Sequence, residues 1–138
     1  MEHNSIMQFH GYASVLLRAC LVILFPFSGL DKILNWNSAM KQAGNIPAKA
    51  VLLVIVIAIE FVAPICIVTE WHDRIAAFIL AGFCVITAAL FHQFWRFPNF
   101  WRFKEGPGLQ HFWEFLKNIG LAGGLGFIVL APSTIPIG

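Results

Sequence analysis

The sequence predicts an all-α integral membrane protein, folded as an antiparallel four-helix bundle. Hydrophobic residues make up 59% of the 138 residues and charged residues only 12%, with a mean hydropathy of +0.77. Because a soluble domain carries roughly 25% charged residues, too little polar surface remains here to cover a globule in water. Four apolar runs of helical length complete the pattern, and the short chain favours a single domain over residues 1–138.

The four apolar runs define the predicted spans. Each holds roughly 20 residues, the number that a helix needs to cross ~30 Å of hydrocarbon. Because backbone groups in lipid must be hydrogen-bonded within the segment, helices are favoured over strands. The predicted helices cover residues 12–30, 50–69, 75–94 and 112–131.

Local features refine these helices. No Lys or Arg occurs in the first eleven residues and the first run is long enough to span, so a retained helix is predicted there and not a cleavable signal. Pro26 and Pro64 each remove a helix hydrogen bond and are expected to bend their helices. Gly120-xxx-Gly124 would let another helix approach closely, within the bundle or in a dimer. No internal repeat or low-complexity segment stands out.

The charges in the loops predict the orientation. Residues 31–49 and 95–111 hold six Lys or Arg residues, whereas the two tails and the loop 70–74 together hold one. The positive-inside rule therefore places the first and third loops in the cytoplasm and both termini outside it. Trp95, Trp101 and Trp113 surround the third loop, which indicates that this loop lies along the membrane interface.

Two ionisable residues lie deep in the predicted spans. Arg18 is about seven residues into the first run from its outer end, and Glu60 is about ten residues into the second run from its inner end. At 1.5 Å per residue these positions have similar depths. Since an isolated charge in hydrocarbon is costly, we expect a buried Arg18–Glu60 ion pair, which either fixes helix packing or acts directly on a ligand or proton.

A second set of residues gathers at the predicted cytoplasmic end. Ammonium, carboxylate and imidazole groups beneath a lipid-accessible bundle suit a quinone head group, whose carbonyls accept hydrogen bonds and whose reduction consumes protons. The alternative is interfacial: Lys32 and Lys117 reach towards lipid head groups, and the Trp residues anchor the bundle. The candidate ligand-binding residues are Asp31, Lys32, His92, Trp95, His111, Lys117 and Asn118.

Other chemistries have no supporting pattern. The chain contains no HxxxH, Cys/His or CxxCH spacing, so neither a metal site nor covalently attached haem is predicted. Cys20, Cys66 and Cys84 fall inside apolar runs without a CxxC pair and are expected to pack as small apolar groups. The net charge of +2 is too small to indicate a nucleic-acid partner.

The chain resembles the DoxX family of small four-helix membrane proteins. The likeness covers nearly the whole span from residue 16 to residue 130, and the third loop at 97–103 matches least. Arg18 resembles the family's Arg in helix one. The other matching stretches are Phe27-Ser28-Gly29-Leu30-Asp31-Lys32, Glu60, Phe91-His92-Gln93-Phe94-Trp95, His111-Phe112, and Leu116-Lys117-Asn118 followed by Leu121-Ala122-Gly123-Gly124.

This resemblance implies a four-helix bundle and a link to membrane redox chemistry. The name-giving members are subunits of a thiosulfate:quinone oxidoreductase, and other members resemble partners in thiol-linked oxidoreductase complexes. No established catalytic assignment comes with the likeness. The positions that carry over from the family are Arg18, Asp31, Lys32, Glu60, His92, Lys117 and Asn118.

The leading hypothesis is therefore a quinone-linked redox subunit of the bacterial inner membrane. With no intrinsic redox cofactor visible in the sequence, electrons would come from a partner oxidoreductase subunit or a bound substrate. In the lipid bilayer the chain would associate with such subunits or with further copies of itself. One alternative is a non-catalytic scaffold that anchors a soluble enzyme through the basic loops. Another is a carrier for a lipid or small solute, which requires a continuous cavity reaching Arg18 and Glu60.

Overall fold

The computed structural model describes residues 1–103 and 105–131, and the regular structure in these ranges is helical. Two short 3₁₀ helices, Phe94–Arg96 and Phe100–Arg102, lie between the last two long helices. The α-helices are α1 (Glu2–Val22), α2 (Leu24–Leu34), α3 (Trp36–Gln42), α4 (Lys49–Val68), α5 (Asp73–Phe91) and α6 (Pro107–Leu130).

Four segments are long and apolar enough to cross a membrane. They are Glu2–Leu34, Lys49–Val68, Asp73–Arg96 and Pro107–Leu130. The predicted class, an all-α integral membrane protein, is confirmed. By its contacts the chain divides into two compact units, Met1–Ala76 and Ala77–Gly138. The single domain over residues 1–138 stays a prediction, as does the position of both termini.

The first and last helical segments begin earlier than predicted. The first begins at Glu2, ten residues before the apolar run, because a helix that leaves the lipid can continue through polar residues. Its 33 residues would extend about 50 Å, well beyond the ~30 Å of hydrocarbon. The last begins at Pro107 and not at residue 112, since proline is favoured in the first turn of a helix. The other two spans begin within two residues of their predicted starts.

The two prolines differ in their effect. Pro26 lies in the first turn of α2 and lacks the N–H that would bond to the carbonyl of Val22, and the helix is interrupted nearby at Ile23. Pro64 lies inside α4, which continues to Val68. The predicted proline effect therefore produces a helix break in the first span and none in the second.

In the first unit, α2 packs along α4 in the antiparallel direction. Arg18, near the start of this pairing, contacts Ile67 of α4. Ser28 and Lys32, further along the first span, contact the earlier residue Glu60. Gly29 is buried at this contact, where a Cβ would stand 2.9 Å from the ring of Phe61 and 3.4 Å from the Cβ of Glu60. The absence of a side chain at Gly29 therefore lets the backbone of α2 come close to Glu60.

In the second unit, the segment that connects α5 to α6 folds back against α6. Phe94 makes edge-to-face contacts with Phe112 and Phe115 of α6, at ring-centroid distances of 5.1 and 5.2 Å. Gly108 is buried where a Cβ would stand only 2.6 Å from the Cβ of Phe97. The close approach of the connecting segment therefore depends on a glycine in the first turn of α6.

Candidate functional site

The most buried charge of the first unit is Glu60, which is 1% exposed and lies near the middle of α4. Lys32 Nζ donates to both carboxylate oxygens of Glu60, at 2.8 and 3.1 Å. Ser28 Oγ donates to Glu60 Oε1 at 2.9 Å and accepts from Lys32 Nζ at 2.6 Å. Because Ser28 and Lys32 are four residues apart, α2 presents both on one face. This network neutralises a carboxylate in a region without bulk water.

A second ionic cluster surrounds Arg18, at the end of α4. Arg18 Nη1 donates to Asp73 Oδ2 at 2.8 Å and to the backbone carbonyl of Ile67 at 3.0 Å. Arg18 Nε donates to Ser14 Oγ at 3.2 Å and lies 3.5 Å from Glu70 Oε1. A guanidinium at the last carbonyls of a helix is favourable because that end carries partial negative charge. Arg18 therefore ties α1 to the end of α4 and the start of α5.

The predicted Arg18–Glu60 ion pair is wrong, since each residue has other partners. Arg18 lies level with Ile67 in the last turn of α4, and Glu60 precedes Ile67 by seven residues, about 10 Å along the helix. The prediction treated residue 12 as level with the end of α4, whereas the helix begins at Glu2 and Arg18 itself is level with that end. Lys32 reaches Glu60 because helical side chains point back towards the amino-terminal end of their helix.

A groove of about 500 Å³ opens beside the Arg18 cluster, between α1 and the end of α4. Gln8, Tyr12 and Val15 line one side, and Val68 and Glu70 line the other. The groove borders the cluster at Glu70, a partner of Arg18. It lies at the end of α4 and not at the level of Glu60.

The second unit brings two histidines together. His92 directly follows α5, and His111 lies in the second turn of α6. Their Nδ1 atoms are 3.4 Å apart, at the long end of hydrogen-bond range, and both residues are half-buried. The ring of Phe97 stacks on His111 at a centroid distance of 5.3 Å and an interplanar angle of 21°.

A hydrogen bond between the two rings requires complementary tautomers. Because both facing atoms are Nδ1, one ring would donate its Nδ1 proton and the other would accept it. In the neutral pair the accepting ring then carries a proton on Nε2, and the donating ring presents a lone pair on Nε2. The pair therefore offers one outward donor and one outward acceptor, and a proton that enters at one Nε2 can be matched by one that leaves from the other.

An aromatic cluster surrounds the segment after His92. Phe94 lies at its centre and contacts Trp95 and Phe100 edge-to-face, at 5.2 and 4.7 Å. Trp95 in turn contacts Phe115 at 5.8 Å. Three of the predicted ligand residues, His92, Trp95 and His111, are thus gathered within the second unit.

The other predicted ligand residues bond elsewhere. Lys117 Nζ donates to Glu114 Oε1 at 3.0 Å, and Asn118 Nδ2 donates to the Glu114 carbonyl at 2.9 Å, so both bond within α6. Asp31 is exposed and accepts from Asn35 Nδ2 at 2.7 Å. The meeting of Asp31 and Lys32 with residues of the second unit stays a prediction.

No group of three or more metal-ligating side chains is assembled within residues 1–103 and 105–131. Cys66 and Cys84 are buried as predicted, whereas Cys20 is exposed on α1.

A tandem repeat is the feature that sequence reasoning missed. Residues 94–97 and 100–103 both read Phe-Trp-Arg-Phe, and each Phe-Trp-Arg forms one of the two 3₁₀ helices. We call residues 94–103 the tandem segment. Its spacing of six residues is visible in the printed sequence and corrects the expectation that the chain has no internal repeat.

The chain is similar to a known family and to a known membrane protein. The DoxX family model matches residues 13–93. The inner membrane protein YqjF of Escherichia coli (strain K12) is 30% identical over 114 residues, which cover 83% of this chain and 78% of that protein. No solved structure matches the chain.

Proposed function

The chain belongs to the DoxX family, and on that basis we propose that it is the membrane subunit of a quinone-linked oxidoreductase of the bacterial inner membrane. The name of its relative YqjF, an inner membrane protein, supports this location. The four candidate spans support a multi-pass arrangement. The name-giving members of the family, which are subunits of a thiosulfate:quinone oxidoreductase, support the link to quinone.

We infer that the quinone head group binds beside His92 and His111. The observation that carries this proposal is the 3.4 Å approach of their Nδ1 atoms inside an aromatic environment. The outward Nε2–H of one ring is a donor for a quinone carbonyl, and the outward Nε2 lone pair of the other is an acceptor for a quinol hydroxyl. Trp95, 52% exposed, offers an aromatic face to the quinone ring, and the neighbouring Phe rings offer apolar surface to its tail.

Reduction of the quinone requires two electrons and two protons. The electrons come from a partner subunit, where two sulfur-centred anions of the thiosulfate or thiolate class join through one new S–S bond and release two electrons. Each proton passes from an outward Nε2–H to a quinone oxygen, while the facing Nδ1 atoms exchange their shared proton and the other ring takes up a proton from water. The products are one S–S-linked species and one quinol, and the histidine pair returns to its neutral form.

The other candidate residues are secondary in this proposal. Lys117 and Asn118 lie about two helical turns beyond His111, and their present hydrogen bonds are with Glu114. The Lys32–Glu60 network satisfies itself within the first unit. A direct role for these residues, and for Asp31, in holding the head group stays a prediction.

The test is retention of quinone by the purified full-length chain. Protein extracted from membranes with a mild detergent is analysed for bound quinone by mass spectrometry, in the unaltered form and as His92→Gln, His111→Gln and His10→Gln. His10 is exposed on α1 and provides the matched control. We expect the unaltered protein and His10→Gln to retain quinone. The other two variants should retain about tenfold less quinone, which corresponds to a loss of roughly 1.4 kcal/mol in binding free energy.

Two results would contradict the proposal. One is an unaltered protein that retains no quinone and binds no added short-chain quinone when its tryptophan fluorescence is followed. The other is undiminished retention in both His92→Gln and His111→Gln, with helix content equal to that of the unaltered protein.

A further inference from the structure

The tandem segment follows the part of the chain that the DoxX family model matches. The DoxX family model ends at residue 93, and the first Phe-Trp-Arg-Phe begins at Phe94. The two repeats adopt the same 3₁₀ structure in the same connection between α5 and α6. A local duplication with a common conformation points to a surface that presents the same side chains twice.

The inner side of the tandem segment is fixed by aromatic packing. Phe94 contacts Phe100 of the second repeat at 4.7 Å, and both rings contact Phe112 of α6, at 5.1 and 5.7 Å. Buried Gly108 admits Phe97 and Phe100 close to the backbone of α6. The first residue of each repeat therefore anchors its 3₁₀ helix. The Trp and Arg that follow are held on the outer surface of the tandem segment, and we call residues 95–96 and 101–102 on this surface the platform.

The outer side of the platform carries paired tryptophan and arginine residues. Trp95 and Trp101 are 52% and 57% exposed, and Arg96 and Arg102 are exposed. The guanidinium of Arg102 lies 5.1 Å from the centre of the Trp101 ring. Among the described residues neither arginine forms a salt bridge with a carboxylate. Two guanidinium groups are thus displayed without a carboxylate partner among residues 1–103 and 105–131.

The depth of the platform follows from its contacts with α6. Phe94 touches Phe115, eight residues after the start of α6, about 12 Å along the helix axis. The platform therefore lies alongside the first turns of a membrane-spanning helix and does not project away from it. The 24 residues of α6 extend about 36 Å, longer than the ~30 Å hydrocarbon layer, so its first turns reach the head-group region.

We propose that the tandem segment is a binding site for the phosphate groups of anionic phospholipids, with Arg96 and Arg102 as the ligands. A guanidinium binds two phosphate oxygens at once through its planar fork, and its hydrogen bonds to an anion are strengthened by charge. Trp95 and Trp101 occupy the interfacial level that indole rings prefer in membranes. On the predicted orientation this surface faces the cytoplasmic leaflet, whose anionic lipids attract basic side chains. The phosphate ligands Arg96 and Arg102 take no part in the proposed quinone chemistry, and Trp95 borders both sites.

The experiment compares lipid retention in two charge-matched variants. The full-length chain is reconstituted in nanodiscs that contain equal amounts of phosphatidylglycerol and phosphatidylethanolamine, extracted, and analysed for bound lipid by native mass spectrometry. Arg96→Gln/Arg102→Gln removes two positive charges from the platform. Lys41→Gln/Lys49→Gln removes two positive charges from the first loop and provides the control.

We expect the unaltered chain and the control to bind more phosphatidylglycerol than phosphatidylethanolamine. In Arg96→Gln/Arg102→Gln we expect the ratio of bound phosphatidylglycerol to bound phosphatidylethanolamine to fall about tenfold.

An unchanged ratio in Arg96→Gln/Arg102→Gln would overturn the proposal. So would an equal loss in the control, because general charge attraction would then explain the binding. A platform variant that keeps its phosphatidylglycerol but no longer associates with a soluble partner subunit would assign the surface to protein docking and overturn the proposal as well. Helix content by circular dichroism verifies that each variant is folded.

Discussion

Two lysine–glutamate pairs of nearly equal length occupy opposite environments in this protein. Lys32 and Glu60 are 2.8 Å apart and 28 residues apart in sequence, and the carboxylate is 1% exposed. Lys117 and Glu114 are 3.0 Å apart and three residues apart in sequence, with side chains 66% and 39% exposed. The distance between the two charges therefore does not determine how much a pair contributes to the free energy of unfolding. That contribution depends on the environment of each charge after its partner is removed.

In the buried pair, no other group near Glu60 in the described part of the chain can take the place of the Lys32 ammonium. Without Lys32, Glu60 would keep only the hydrogen bond from Ser28 in a region shielded from water. For the exposed pair, both groups lie on the surface of α6, and the separation of three residues means that no second helix is held by it. The first pair ties α2 to α4, whereas the second supports only its own helix.

The largest effect is expected from Lys32→Met, which leaves the Glu60 carboxylate buried without a cation. We expect the free energy of unfolding in detergent micelles to fall by about 3 kcal/mol, at the lower end of the range for a broken buried ion pair. The lower end applies because Glu60 keeps its hydrogen bond to Ser28.

The control for this prediction removes both charges. Lys32→Met/Glu60→Leu should recover most of the lost stability, since apolar replacements of a buried ion pair are often neutral or stabilising. A cost below about 1 kcal/mol for Lys32→Met alone would mean that Glu60 is already hydrated, and the contrast between the two pairs would fail.

An intermediate effect is expected from Arg18→Met. Arg18 is 14% exposed at its side chain, and its partners Glu70 and Asp73 are each 21% exposed, so water offsets part of the loss. We expect a decrease of about 2 kcal/mol in the free energy of unfolding, the scale of hydrogen bonds to charged groups. Chemical denaturation beside Lys32→Met provides the measurement, and a cost above that of Lys32→Met would reverse the proposed order of burial.

Only part of these ionic clusters can be predicted from the sequence. Hydropathy predicts four spans because lipid requires about 20 apolar residues per crossing, and a charge inside a span predicts a partner. The identity of the partner depends on relative depth, and the hydropathy run does not reveal that α1 extends back to Glu2. A depth error of about seven residues therefore predicted a pair between Arg18 and Glu60, which instead bond to Asp73 and Lys32.

In the second unit, too, some features can be predicted from the sequence and others cannot. The sequence places both His92 and His111 at the predicted cytoplasmic end, and in the structure their Nδ1 atoms lie 3.4 Å apart. The platform beside them depends on Gly108 and on a Phe-Trp-Arg-Phe repeat, neither of which has a hydropathy signal. Packing of this kind is decided by steric fit, which composition and periodicity do not report.

The close contact between Gly108 and Phe97 can be tested by adding a methyl group at residue 108. Gly108→Ala would place a methyl group 2.6 Å from the Cβ of Phe97, an atom close to the backbone that cannot swing away. We expect a loss of about 1–2 kcal/mol and a displaced tandem segment, detected as a change in tryptophan fluorescence. Gly120→Ala is the control, because a Cβ at Gly120 meets no atom within 4 Å and alanine favours helix by up to about 1 kcal/mol. Equal losses in both variants would attribute the effect to helix α6 itself and not to the platform.

The smallest effect is expected from Lys117→Gln. The pair with Glu114 lies on the surface of a single helix, so its removal in detergent micelles should change the free energy of unfolding by less than about 0.5 kcal/mol, the scale of an i, i+3 pair within a helix. Glu114→Gln should behave alike, because the Asn118 side chain donates to the Glu114 backbone carbonyl and not to its carboxylate. A loss above about 1.5 kcal/mol for Lys117→Gln alone would show that Lys117 has a second partner beyond its own helix. Lys117 would then belong with Lys32 among the charges that hold separate parts of the protein together, and its predicted place in the quinone site would gain support.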